Sequence, residues 1–447
     1  MVKDGVFRSS PTLRLAVMAV LLFALNAPLT MMCGVVQERS QRREKMIDEV
    51  SSSWGHEQTL AGPLLVIPYQ YSVTDRSGAT HAQVEYHYVL PDTLDVTGTL
   101  DPDQRGRSLF KTTVYTAHLK VTGRFAPVTF SAVRPQPDFI NWDQAQLLLG
   151  VEDIRGIAGP IALHWDGRDA QFAAGAAPNA LLGPVLQARA DGMTGDRASA
   201  IPFEISLDVR GTRALRVFPA GTQTNVRLAS RWPHPSFIGT SPVSPAIADS
   251  GFTAQWTLAG FVRGFPHEWN GSDVNDALKA QRTGASFGVA LIEPVDVYVQ
   301  TERAIKYAVL FIVMTFGIAF LWEITGGIVI HPIQYLFVGF GMCVFYLLLL
   351  SLGEHLGFDT AYAIATAATV SLLAWYWRWV LRARSRGALM GGTLTVLYGY
   401  LYLLLRLEDY ALLAGSIGLF VMLAVMMFLT RRVDWFNLRS GENGRAV

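Results

Sequence analysis

The sequence predicts an integral membrane protein: one N-terminal anchor helix, a large mainly β extracytoplasmic domain inserted after it, and a C-terminal α-helical bundle of five transmembrane helices. Three observations lead there. Half of the 447 residues are hydrophobic and only 16% are charged, against roughly 25% charged in soluble domains. Nearly all of that deficit falls in residues 11–36 and 307–430. The stretch between them has ordinary soluble composition, with short apolar runs broken by Gly, Pro, Asp and Asn, as in strands joined by turns.

Residues 1–14 carry Lys3, Arg8 and Arg14 and read as a cytoplasmic N-terminus. The apolar run 15–36 follows. The apolar core of a cleavable signal is about 7–15 residues long and ends in a small-x-small site. The run here has 22 residues, no Ala-x-Ala site follows it, and Met31-Met32-Cys33 is no lipoprotein box. An uncleaved anchor is expected. In 37–54, Glu38 and Arg42, then Lys45 and Glu49, stand four apart, a spacing that supports a helical stalk; a solvated charged linker is the alternative.

Residues 55–303 are the expected β domain. Its strand-like runs are Gly62–Tyr69, Val84–Leu90, Ser108–Phe125, Ile201–Val209, Leu215–Phe218, Thr224–Leu228, Phe252–Val262 and Phe287–Val299. Only Trp142–Gly150 and Asp273–Gln281 look helical. The Ala- and Gly-rich stretch 172–200 reads as a link between subdomains 55–170 and 200–303, or as a long loop across one domain. Both cysteines, Cys33 and Cys343, lie in apolar runs outside it, so no disulfide framework is expected.

In 304–430, five runs free of charge follow: Tyr307–Trp322, Ile333–Leu352, Ala361–Trp377, Gly387–Leu405 and Tyr410–Thr430. About 20 residues at 1.5 Å each span the hydrocarbon core. Lys and Arg gather on one side: eleven with the N-terminus, the turn 378–386 and the tail 431–447, against seven on the other. Positive residues stay in the cytoplasm, so both termini are expected there and the β domain outside, periplasmic in a Gram-negative cell. Trp375, Trp377, Trp379 and Trp435 fit an interfacial aromatic belt.

A formal net charge of +1 gives no ground for a nucleic-acid partner. His56-Glu57 and His267-Glu268 open like a zinc-protease motif, but neither has the second histidine four positions on. No nucleophile elbow or phosphate-binding loop occurs, so no catalytic residue, metal site or cofactor is expected. The apolar spans hold no ionisable residue at depth, whereas ion-coupled transporters use such groups. Thr315, Thr366, Thr369, Thr393 and Thr395 fit helix packing. Glu323 and His331 fall in a cytoplasmic turn. The outer turns hold Glu354, His355 and Asp359, then Arg406, Glu408 and Asp409. They read either as ordinary loop charges or as a cluster (Glu354, His355, Arg406, Glu408, Asp409) that binds a ligand or couples the β domain to the bundle. In the β domain, Ser230–Gly239 places Trp232, His234 and Phe237 among prolines, as a rigid structural loop or a binding loop.

Several blocks resemble the CreD family of inner-membrane, cell-envelope integrity proteins: His331–Leu336, Glu354–Phe358, Leu397–Tyr402, Leu407–Leu413 and Leu429–Trp435, with Gly62–Tyr69, Trp232–Gly239 and Ile292–Lys306 upstream. The resemblance runs through nearly the whole chain. It implies a non-enzymatic inner-membrane protein tied to envelope stress, colicin tolerance and the β-lactam response. No cofactor and no catalytic residue come with it. The expected partners are membrane lipids and an unidentified envelope protein or ligand on the periplasmic side; oligomeric state stays open. A transporter or lipid-handling protein and a membrane-bound envelope hydrolase are the alternatives.

Overall fold

The computed structural model describes residues 11–107, 109–131, 133–175, 184–195, 198–264, 266–273, 284–293, 297–326, 330–381, 384–407 and 410–431. It divides into two compact units, Glu44–Pro294 and a second built from Met1–Arg43 with Val295–Val447.

The first unit is β. In chain order its strands are β1 (Gln58–Thr74), β2 (Thr80–Val89), β3 (Thr93–Arg107), β4 (Phe110–Phe125), β5 (Phe139–Ile140), β6 (Gln146–Val151), β7 (Ala162–Trp165), β8 (Arg168–Ala170) and β9 (Ala173–Gly175). Then come β10 (Val185–Arg189), β11 (Ile201–Thr212), β12 (Ala214–Val217), β13 (Gln223–Ser230), β14 (Pro235–Ile238), β15 (Ala246–Ala248), β16 (Gly251–Ala259), β17 (Glu268–Asn270) and β18 (Phe287–Leu291). One sheet runs β14-β18-β12-β1-β6-β10-β9, with β2 and β5 also on β1 and β17 on β2; the other runs β15-β16-β13-β3-β4-β11-β7-β8. Both sheets draw strands from 55–170 and from 200–303. The two halves therefore interleave in one sandwich and do not form separate subdomains.

Strand patterns follow burial. Ile201, Phe203, Ile205, Leu207 and Val209 alternate inward along β11, the period of a sheet with one buried face. From Leu60 to Tyr69, β1 is buried on both faces, which suits a central strand made of a continuous apolar run. One buried cluster unites both sheets. Trp256 on β16 reaches across it, fully buried, with Phe287 of β18 at 5.7 Å and Phe237 of β14 at 5.8 Å between ring centres. Its indole N–H donates to the Thr240 carbonyl at 2.9 Å.

Two local expectations fail here. Trp142–Gly150 is not a helix: Trp142–Gln144 is a short 3-10 turn, and Leu147, Leu148 and Leu149 lie buried in β6. Short apolar runs carry no period that separates strand from helix, and pairing with β1 and β10 decides for strand. The run Phe287–Val299 stops as a strand at Leu291, and helix begins at Val297. Of Asp273–Gln281, only Asp273 lies within the described residues, in a 3-10 turn.

The helices are α1 (Pro11–Trp54), α2 (Val297–Gly326), α3 (Pro332–Leu356), α4 (Phe358–Val380), α5 (Arg384–Arg406) and α6 (Ala411–Thr430). Anchor and stalk thus form one helix of 44 residues, with Pro28 inside it. By length and composition, α1, α2, α3 and α5 are apolar enough to cross a membrane. Thr, Tyr and Trp dilute the hydropathy of α4, and the described apolar part of α6, Leu413–Val425, is shorter.

Small residues set the helix spacing. Leu25 of α1, 1% exposed, sits against Gly339 of α3, where an added Cβ would meet its Cδ1 at 2.3 Å. At Gly387 of α5 the obstacle is backbone: a Cβ would stand 2.7 Å from the Arg378 Cα on α4. Gly387→Ala is expected to destabilise the bundle by about 1–3 kcal/mol, as overpacking does. Gly392→Ala, with nothing within 4 Å, serves as the mild control; detergent-dependent unfolding of the purified protein measures both.

Candidate functional site

Polar side chains close the helical unit at two levels. At one end Glu323, the last apolar-span residue of α2, is 3% exposed. It accepts from Arg14 Nη1 of α1 at 3.0 Å, from the Tyr335 hydroxyl of α3 at 3.1 Å and from the Ile330 amide at 3.3 Å. At the other end Glu354 of α3 accepts from the Tyr298 hydroxyl of α2 at 3.0 Å and lies 3.8 Å from Arg39 of α1. The same three helices supply both clusters.

Spacing explains why. Arg14 and Arg39 are 25 residues apart on α1, and Tyr298 and Glu323 are 25 apart on α2, about 37 Å at 1.5 Å per residue. Tyr335 and Glu354 are 19 apart on α3, about 28 Å. A hydrocarbon core is about 30 Å thick, so each cluster falls where charge can be held at a border without crossing the interior. Glu323 is thereby not a turn residue: it sits in the helix, turned inward. Its signal in the sequence was being the sole acid at the end of an apolar run that an arginine-bearing helix could reach.

The expected outer cluster divides among different partners. Glu354 belongs to the α1–α3 group just described. Arg406 is instead bonded to Asp359 of α4 and to the Tyr402 hydroxyl, which itself donates to Asp359 at 3.1 Å. His355 is exposed. Glu408 and Asp409 lie outside the described residues. Of the tryptophans, Trp375 and Trp379 are 60% and 68% exposed on one face of α4, while Trp377 is fully buried beside Tyr335. Two of the three therefore remain for an interfacial belt.

In the β unit the histidine–glutamate pairs serve separate contacts. His56 Nδ1 lies 2.8 Å from Asp153 Oδ2, and Glu57 pairs with Arg216 at 2.8 Å. His267 contacts Thr222 at 3.2 Å, while Glu268 lies 3.3 Å from His87. Burial, with Arg263 nearby, pushes the His267 pKa down, so this ring is neutral at neutral pH. Among the described residues no group of three or more His, Cys, Asp or Glu could hold a metal ion. The expected loop 230–239 is only partly a loop, since Ser230 ends β13 and Pro235–Ile238 form β14; Trp232 donates to the Ile292 carbonyl at 3.0 Å, Phe237 packs on Phe252 and Trp256, and His234 is exposed.

Asp153 is the most strongly held acid of this unit. It is 8% exposed. Burial opposes its ionisation, but hydrogen bonds from Arg155 and His56, side chains and backbone amides alike, outweigh this and hold the carboxyl well below the usual range. A depressed acid contributes stability above its unfolded pKa and loses it as pH falls toward the folded value. The melting temperature of the β unit is accordingly expected to drop below about pH 4. Asp153→Asn should be less stable at pH 7 and flatter in that range; thermal unfolding of the full chain across pH 3–7 measures both.

The family model described as inner membrane protein CreD matches residues 10–436. The chain is 32% identical over 429 residues to the inner membrane protein CreD of Escherichia coli (strain K12), covering 94% of this chain and 92% of that one. Among solved structures, an M1 zinc metallopeptidase from Deinococcus radiodurans is similar at 10% identity over 38% of each chain, with a TM-score of 0.20. A candidate nutrient binding protein from Legionella pneumophila covers 57% of this chain and 80% of its own, at 6% identity and a TM-score of 0.26. Likenesses that slight carry no argument about fold or chemistry. With a model spanning nearly every residue and a relative of matching length, the chain belongs to the CreD family of inner membrane proteins.

Proposed function

We propose that this is a non-enzymatic inner-membrane protein that supports envelope integrity under stress, its β unit meeting an envelope protein or ligand on the periplasmic side. All six helices cross the membrane in this reading, α4 and α6 as lipid-facing or partner-facing spans, and both termini are cytoplasmic. The Lys and Arg excess on one side supports the orientation. The observation that carries the functional reading is the use of the polar side chains. His56, Glu57, His267 and Glu268, the residues most suggestive of hydrolysis, each engage a different structural partner, and Glu323 and Glu354 tie helices together.

Deleting the gene is expected to sensitise cells to β-lactams and to change colicin tolerance. The full chain should restore both phenotypes, and a chain lacking 55–293 should restore neither. Restoration by the truncated chain, made at equal level in the membrane, would remove the β unit from the function.

A further inference from the structure

A cavity of about 750 Å³ opens within the β unit, inside the size range of small-molecule sites. Its floor is the outer face of the first sheet, where Thr59 of β1, Arg216 of β12 and Ile238 of β14 point away from the core. Its other wall is the end of α1, with Ile47, Asp48 and Ser51. That helix end is firmly seated: Ile47 is 2% and Ser51 5% exposed, and Trp54 donates to the Tyr115 carbonyl at 3.2 Å between the guanidinium groups of Arg105 and Arg210.

The walls are charged in both senses. Arg213 and Arg216 face Asp48, Glu57 and Glu152. Neither arginine is loose. Glu57 holds Arg216 Nη1 at 2.8 Å, and Glu44 holds Arg213 Nη2 at 2.8 Å through both of its oxygens. Arg213 also occupies a left-handed backbone conformation, φ 64°, which costs about 1–3 kcal/mol for a residue with a Cβ. The surrounding structure keeps it so: its amide donates to Thr113 and its carbonyl accepts from Leu291 at 2.8 Å. A guanidinium has five N–H donors, so each arginine can serve a ligand while retaining its glutamate.

The composition of the walls selects the ligand. A simple anion would face three carboxylates. An apolar molecule would find chiefly Ile47 and Ile238. A molecule bearing one carboxylate and one ammonium, separated by hydrogen-bonding backbone, matches the arginines, the acids and the hydroxyls of Ser51, Thr59 and Ser286 together. We infer that this cavity binds a short peptide with free amino and carboxyl ends, its carboxylate on Arg216 of the floor and its ammonium toward Asp48 of the helical wall.

The test is calorimetric titration of the full chain in lipid nanodiscs with tri-L-alanine, with the same peptide acetylated and amidated, and with L-alanine. Tri-L-alanine should bind, and the doubly blocked peptide and L-alanine should each bind at least about tenfold more weakly, a difference of about 1.4 kcal/mol. Arg216→Ala and Asp48→Ala should each weaken tri-L-alanine by about tenfold or more, while His118→Ala on the other sheet leaves it unchanged. No binding up to about 10 mM peptide would overturn the inference, as would equal binding of the blocked peptide or of L-alanine, or unchanged affinity in both cavity variants. The ligand comparison uses the unaltered chain, so it stands even where a variant fails to fold.

Discussion

Glu323→Ala is expected to destabilise the helical unit by about 3–5 kcal/mol, the range for breaking a buried ion pair by removing one partner. The Glu323 side chain is 1% exposed and that of Arg14 17%. Losing the carboxylate leaves the guanidinium, the Tyr335 hydroxyl and the Ile330 amide without their shared acceptor. Each desolvated donor left unmet adds to the cost. Arg14→Ala should be similarly damaging, and the double variant should fall well short of the sum, because the partners act as one network. Replacing both with methionine is expected to be close to neutral. Unfolding of the purified protein in mixed detergent micelles reads all four. Single variants within about 0.5 kcal/mol of the parent, with additive effects, would show that the contact holds nothing together.

Trp256→Ala should cost the β unit a comparable amount, about 3–5 kcal/mol. The side chain is fully buried and is the point where β16 of one sheet meets β14 and β18 of the other. Truncation removes the ring contacts with Phe237 and Phe287 and orphans the Thr240 carbonyl. Phe261→Ala, in the same chain segment but 86% exposed, should be within about 0.5 kcal/mol of the parent. Thermal unfolding followed by far-UV circular dichroism in the β region distinguishes them. Equal melting temperatures for the two variants would mean that Trp256 does not join the sheets.

Much of the architecture could be read from residues alone, for physical reasons that differ by region. The long charge-free runs announce helices because a lipid-facing backbone must bond within itself or in a closed barrel, and barrel strands alternate where these runs are continuous; α2–α5 extend beyond the runs because polar turns can be helical too. Alternation made β11 and β16 legible. The continuous run in β6 was not, since buried strands and buried helices share composition. The sheet order was hidden for another reason: β1 pairs in parallel with β12, and β3 with β13, pairings across more than a hundred residues that no local pattern encodes. The same holds for the sites. Glu354 was visible as a turn charge, but Tyr298 and Arg39, which hold it, lie 56 residues and more than 300 residues away. Asp153 drew no notice because a single acid in a strand-rich stretch has no signature; its environment makes it unusual.

The proposed arrangement of six crossings, with the β unit outside and both termini inside, is tested most directly by side-specific labelling. In a background where Cys33 and Cys343 are replaced by serine, single cysteines are placed at Ser77, Ser250 and Ser385, each exposed. A membrane-impermeant maleimide should label Ser77→Cys and Ser250→Cys in intact spheroplasts and Ser385→Cys only after permeabilisation. Labelling of Ser385→Cys from outside, with Ser77→Cys and Ser250→Cys protected, would contradict it.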